Sequence, residues 1–458
     1  MAKVNPASII SESKFNRFHL ALFIWSFMII LFDGYDLSVY GTVVPILMEQ
    51  WHLNPVAAGT MGSYGLFGMM FGAIIFGILA DRIGRKKVIM INILLFSLFT
   101  FLCGFAESVT AFSAFRFLAG LGLGGIMPNI AALVMDYAPK SMRIRLVSIT
   151  LVSFAVGGAL APTFGVLLIS HFGWASVFFV AGSPLLALPF LLKQLPESSS
   201  YLIRTGKKEK LFATLSKINP GLTFNQDDEI EEVKLSETKA PIVGLFKENR
   251  ALSTVMFWVA FFCALLMVYG LNTWLPKLMI NAGYGLNSSL TFLIALQGGA
   301  VIGILSLSQL CEKYGSKRVL IPSYIAGAIA LSLLGFGGNT IVIFVLVAIA
   351  GAATTGSQVL IQAYVTAYYP AQMRSTGLGV ASGIGRLGGM IGPILGGFLL
   401  TLGLQNFMNF MVFAITGIVA AIALSLIADK HSAVAVEANK HNSTEDSLVT
   451  SEVAAAIE

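Results

Sequence analysis

Twelve stretches of this chain are each long and apolar enough to cross a bilayer, and that pattern restricts the fold more than any motif. Hydrocarbon about 30 Å thick needs about 20 consecutive apolar residues in helical form. The runs cover residues 19–46, 57–80, 88–106, 110–135, 146–170, 174–192, 251–279, 288–310, 319–337, 340–368, 376–400 and 406–428. Composition agrees. Only 11% of residues are charged, against about 25% in soluble domains, 56% are hydrophobic, and mean hydropathy is +0.82. A soluble enzyme, a nucleic-acid binder and a disordered chain are all excluded by this balance. The expectation is an all-α polytopic membrane protein whose standing partner is the lipid bilayer.

The runs divide the 458 residues into an N-terminal segment 1–18, a six-helix bundle 19–192, a central loop 193–250, a second bundle 251–428 and a tail 429–458 without fixed structure. The central loop carries Lys207, Lys208, Lys210 and the acidic run Asp227, Asp228, Glu229, Glu231, Glu232, which reads as a solvated hinge. The net charge of +6 is spread over short loops. One set of loops holds Arg82, Arg85, Lys86 and Lys87, then Lys140, Arg143 and Arg145, then Lys313, Lys317, Arg318 and Arg374; the opposite set holds almost none, Lys277 excepted. Basic loops stay on the cytoplasmic side, so both termini are expected there. The first run is too long for the apolar part of a cleavable signal. Cys103, Cys263 and Cys311 lie in or beside apolar runs, which argues against a disulfide framework.

The two halves repeat at a constant offset of 231 residues. That shift carries Gly84 onto Gly315, Pro139, Met142 and Arg143 onto Pro370, Met373 and Arg374, and Gly157, Gly158, Pro162 and Gly165 onto Gly388, Gly389, Pro393 and Gly396. An even number of helices per half gives both halves the same orientation, a parallel repeat with a binding site between them near midplane. The glycine- and proline-rich stretches around 157–165 and 388–397 are assigned to helix packing.

The loop after the second run reads Gly77-Ile-Leu-Ala-Asp81-Arg82-Ile-Gly84-Arg85-Lys86-Lys87. It resembles the loop signature of the major facilitator superfamily, G-x-L-A-D-R-x-G-R-[KR]-x; the second-half copy, Glu312 to Arg318, is eroded. A tight glycine turn that sets Asp81 beside helix ends and cations can latch two halves in one state and release them in another. Gly77, Asp81, Arg82, Gly84 and Arg85 are the expected latch.

An ionisable side chain at bilayer depth costs about 2.5–3.5 kcal/mol on insertion scales, which makes it a functional candidate. Asp33, Asp36, Arg116 and Arg386 qualify, and their repeat counterparts are Ala264, Met267, Val347 and Ala155. The scaffold is duplicated and the charges are not, which suits chemistry better than architecture. Asp33 and Asp36, three apart, share one helix face. Asp36 and Arg116 fall at similar depth, and an anion that captures Arg116 frees a carboxylate to take a proton. Arg386 lies roughly 18 Å into its helix at about 1.5 Å per residue, where a guanidinium suits a carboxylate ligand. Tyr40, Asn129, Tyr269, Asn272, Trp274, Gln297, Gln358 and Tyr364 are further candidates for the cavity wall. No metal or cofactor is called for.

Asp33-Gly34-Tyr35-Asp36 resembles the D-G-[YF]-D motif of the aromatic acid:proton symporter family within that superfamily, and the similarity extends over all twelve runs. It implies uptake of benzoate or hydroxybenzoates with a proton across a bacterial inner membrane by a monomer, with roles for Asp33, Asp36, Asp81 and Arg116. Pro196-Glu197-Ser198-Ser199 is similar to a sugar-porter element and keeps a sugar or polyol symporter as an alternative, beside a proton-driven efflux antiporter.

Overall fold

The computed structural model describes residues 3–222, 224, 228–230, 242–370 and 373–432. Asp227, Glu231 and Glu232 of the acidic run, and the tail from residue 433, lie outside the described residues. Among the described residues, twelve helices are long and apolar enough to cross a membrane: α1 Arg17–Gln50, α2 Pro55–Ile83, α3 Arg85–Cys103, α4 Val109–Tyr137, α5 Arg145–Phe172, α6 Ala175–Gln194, α7 Ala251–Asn281, α8 Leu286–Tyr314, α9 Ser316–Leu334, α10 Thr340–Tyr368, α11 Arg374–Thr401 and α12 Asn406–Leu426. Large apolar side chains stay exposed on their outer faces, Ile74 and Ile302 among them, as lipid-facing helices require.

The repeat holds at the level of helix ends. A shift of 231 carries Pro55–Ile83 onto Leu286–Tyr314, Arg85–Cys103 onto Ser316–Leu334, and Val109–Tyr137 onto Thr340–Tyr368. Gly84 and Gly315 make the same turn, at φ 100° and 91°, a backbone region closed to side chains with a Cβ. Even irregularity is shared: α4 breaks at Gly125, and α10 widens into a π turn at Ala352–Gly356.

Helix pairs inside each half meet through glycine. A Cβ on Gly34 would fall 1.7 Å from the Phe154 carbonyl oxygen, and one on Gly157 would fall 1.7 Å from that of Leu31, so α1 and α5 touch backbone to backbone. Gly68 and Gly72 do the same for α2 against the Phe117 and Leu121 carbonyls of α4. A methyl group there has no flexible neighbour to displace. Gly34→Ala is expected to cost at least the roughly 1–3 kcal/mol of an overpacked core, seen as a lower unfolding temperature in detergent.

The central segment departs from the expected solvated hinge. Helices Ser199–Arg204 and Lys208–Ile218 lie in it. Leu211, Phe212, Leu215 and Ile218 sit on one face of the second and are buried in the core cluster of the first half, with Ile30, Ile93 and Leu133. Short helical spacing amid charge hid this face in the sequence. A two-residue parallel pairing of Lys3–Val4 with Glu229–Ile230, also unexpected, ties the chain's start to the same segment.

The halves meet along α1–α7, α2–α11 and α5–α8, and they meet unevenly. Away from the basic loops the seam is tight. Ser63 donates to the Met390 carbonyl at 2.7 Å, a Cβ on Gly59 would fall 2.3 Å from the Pro393 carbonyl oxygen, and one on Gly397 would fall 2.2 Å from that of Pro55. Ser38, Asn272 and Gln297 form a buried triangle of hydrogen bonds across α1, α7 and α8, at 2.9–3.1 Å. Toward the basic loops the same face of α11 continues through Gly383 and Gly379, which are exposed and would meet nothing within 4 Å of an added Cβ. The seam is a wedge, closed on one side and parted on the other.

Candidate functional site

Near the middle of the seam Arg116 Nη1 lies 2.5 Å from Asp36 Oδ1, with both side chains buried. Glycine makes room for this pair: a Cβ on Gly65 of α2 would press on the Arg116 guanidinium at 3.0 Å, and one on Gly62 would strike the Tyr40 ring at 2.5 Å. Asp36 also receives the Thr100 hydroxyl at 3.4 Å. In the Asp33–Asp36 segment the four residues divide their work. Gly34 packs on α5, the Tyr35 hydroxyl donates to the Val177 carbonyl at 2.8 Å, and the two carboxylates turn toward the seam. Asp33 is buried, and its Oδ1 has no hydrogen-bond partner among the described residues; Arg116 Nε is likewise unpartnered.

Asp33, Asp36, Tyr40 and Arg116 line a cavity of about 20 Å³ between the halves. Its other walls are Leu37, Leu66, Met69, Leu123 and Phe154 from the first half, and Tyr269, Thr273 and Pro393 from the second. That volume holds a water molecule and falls far short of the roughly 300–1,000 Å³ of sites for small organic ligands. Admitting such a ligand requires the halves to part further. One end of the wall is ionic and the rest apolar or aromatic, an amphipathic lining suited to a flat ring bearing an anionic group.

Arg386 faces this region from the second half. Its Nη1 donates to the Met69 carbonyl at 2.9 Å, across the seam and at the apex of the wedge. Asp33, Asp36, Arg116 and Arg386 all lie within electrostatic reach of Tyr269. The remaining candidates sit elsewhere. Asn129 bonds its own helix at the Gly125 carbonyl, 2.7 Å away. Trp274 donates to the Pro393 carbonyl at 2.7 Å, and Asn272 and Gln297 belong to the Ser38 triangle that seals the seam. Gln358 is half-buried and is not part of the wall. Pro393, assigned from sequence to packing alone, does line the cavity. Tyr269, a candidate from sequence, lines it too, whereas Tyr364, whose hydroxyl donates to Asp429, does not. Thr273 and the apolar residues of α2, α4 and α5 also line it, and no charge or motif singles them out.

At the basic face, Arg85 pairs with Asp136 at 2.9 Å, and Ser198 donates to the same carboxylate at 2.7 Å. Glu197 accepts from the backbone N–H of Lys86 and of Ser198, at 3.1 and 3.0 Å, and its main-chain carbonyl accepts from the Tyr137 hydroxyl. The Pro196-Glu197-Ser198 element therefore clamps the Gly84 turn. Asp81, Arg82 and Gly77 stand exposed, and the two charged side chains form no ion pair among the described residues.

A sequence profile described as the Major Facilitator Superfamily matches residues 26–310 and 290–454. The chain belongs to the Major Facilitator Superfamily. Among relatives of this superfamily member, a benzoate transport protein of Acinetobacter baylyi is 44% identical over 435 residues, covering 93% of each chain. A gentisate transporter of Corynebacterium glutamicum is 35% identical over 413 residues, covering 89% of this chain and 87% of the relative. In fold this superfamily member is similar to the xylose transporter XylE from E. coli in a partially occluded inward-open conformation, with TM-score 0.71 and 18% identity over 89% of this chain and 97% of that one.

Proposed function

We propose that this protein is a secondary carrier that takes up a small aromatic carboxylate, benzoate or a hydroxybenzoate, together with a proton, by alternating access across a bacterial inner membrane. The carrying observation is the cluster of Asp33, Asp36 and Arg116 in a ring-lined cavity on the seam between two repeats. The names of the benzoate and gentisate relatives support the substrate class. The basic loops support an orientation with both termini in the cytoplasm, so the parted side of the wedge faces inward. The substrate leaves unchanged, and a monomer suffices because the seam lies within one chain.

In this reading Arg116 and Arg386 have resting partners, the Asp36 carboxylate and the Met69 carbonyl. A substrate carboxylate replaces both, drawing guanidinium groups from opposite halves onto one anion with bidentate geometry. Asp36, deprived of its cation, and Asp33, with its unpartnered oxygen, are the groups that exchange a proton with the cavity. One anion and one proton then cross together, and the net charge moved is zero.

Uptake of labelled benzoate into proteoliposomes under an imposed pH gradient of either sign tests this, with protein-free vesicles subtracting passive flux of the neutral acid. Accumulation on the alkaline side above that background is expected; protein-dependent flux toward the acidic side would establish antiport instead. Arg386→Ala is expected to raise the half-saturation concentration roughly tenfold or more, the loss of one charge-assisted hydrogen bond of about 1.5–3 kcal/mol. An unchanged value would remove Arg386 from the site.

A further inference from the structure

A second cavity lies away from the seam, inside the second half. It is a crevice of about 600 Å³ between α8, α9 and α10, opening onto the lipid-facing surface near the basic loops. The internal repeat shows that it is no by-product of the architecture. In the first half the equivalent space is filled by a packed cluster of Phe76, Leu79, Val88 and Leu95. The shift of 231 turns Phe76 into Leu307, Leu95 into Ala326, Ile75 into Ser306 and Leu121 into Ala352. Four side chains shrink at once, and the space they vacate stays continuous. Ala352 also begins the π turn of α10, where the helix is wider than its first-half counterpart.

The lining chemistry names an occupant. The serine hydroxyls of the lining are already engaged: exposed Ser306 donates to the Ile302 carbonyl at 2.7 Å, and Ser323 pairs with Ser357 at 2.9 Å. The interior thus offers apolar surface to an apolar chain. Arg318 stands exposed at the mouth and makes no hydrogen bond or ion pair among the described residues. Lys313, in the last turn of α8, rests over the Tyr314 ring. A cation at the membrane surface above an acyl-sized apolar slot is complementary to one class of molecule. We propose that this crevice binds one anionic phospholipid, with an acyl chain between α8, α9 and α10 and the phosphate at Arg318.

The test titrates phosphatidylglycerol and phosphatidylcholine onto the detergent-purified protein and counts retained lipids by native mass spectrometry. One phosphatidylglycerol should be retained in preference to phosphatidylcholine. The variant S306I/A326L/A352L, which restores the first-half residues, should lose that lipid. R318Q, an exposed change that leaves packing intact, should weaken it roughly fivefold, the worth of one cation near an anionic headgroup. Retention at native strength by the filled variant would overturn the site. If the filled variant does not fold, R318Q decides: equal retention of both lipids, or indifference to R318Q, would overturn recognition of an anionic headgroup.

Discussion

Asp33→Asn is expected to abolish accumulation driven by a pH gradient while leaving exchange of labelled for unlabelled substrate in place. The asparagine keeps the shape of the side chain and the α1–α5 contact through Gly34, so the cavity survives. It cannot release a proton. An imposed gradient of one pH unit is worth about 1.36 kcal/mol, which sustains about tenfold accumulation with one coupled proton. The variant should reach equal concentrations on both sides and stop. Asp36→Asn should fail more broadly. It strips the buried Arg116 of its counter-charge, and breaking a buried pair from one side costs about 3–5 kcal/mol. Coupled uptake should disappear and the unfolding temperature should fall. The double variant D36N/R116Q removes both charges and should recover stability without recovering accumulation. Near-normal accumulation by both single variants would remove the carboxylates from coupling.

Much of this architecture is written plainly in the sequence. Spans are legible because hydrocarbon enforces a long apolar run whatever surrounds it, and the repeat is legible because glycine at a helix contact tolerates no replacement. Asp33, Asp36 and Arg116 stand out because a charge in an apolar run is costly. Their pairing follows from depth along two helices, and the structure brings Asp36 and Arg116 into contact. The rest of the cavity wall carries no such mark. Leu66, Met69, Leu123 and Phe154 differ in nothing but direction from the many apolar residues facing lipid. Direction depends on how helices rotate against one another, which composition does not encode. Polar candidates misled for the opposite reason. Asn272 and Gln297 are conspicuous in an apolar run, yet a buried amide serves equally well to lock two halves together. The docking of the central segment was masked by lysines flanking a four-residue apolar face.

The parted side of the wedge supplies the other large effect. Along the seam α2 and α11 run antiparallel in a steady register: Gly59 against Pro393, Ser63 against Met390, Met69 against Arg386. Continued toward the basic loops, that register sets Gly77 opposite Gly379 and Asp81 opposite the first turn of α11, where Arg374 stands. Both glycines are exposed with nothing within 4 Å of an added Cβ, and Asp81 is exposed. In the proposed alternating-access cycle, Gly77 and Asp81 would supply one half of the contact that closes this side. Bringing the basic sides together would bury the small residues against each other and seat the carboxylate at a helix N-terminus beside a cation, a favourable place for negative charge. Gly77→Trp should therefore fold with an unchanged unfolding temperature, since the space is empty in the conformation seen here, and should bind substrate from the basic side. It should not transport, because the indole occupies the volume that closure must remove. Gly383→Trp, from the other half of the same seam, should behave alike. Asp81→Asn should slow turnover without blocking it, for it weakens the closed contact and leaves the space clear. Uptake and unfolding measured on the same preparations separate these cases. Normal transport by both tryptophan variants would mean that α2 and α11 never meet on this side, and the carrier would need another route to close its inner face.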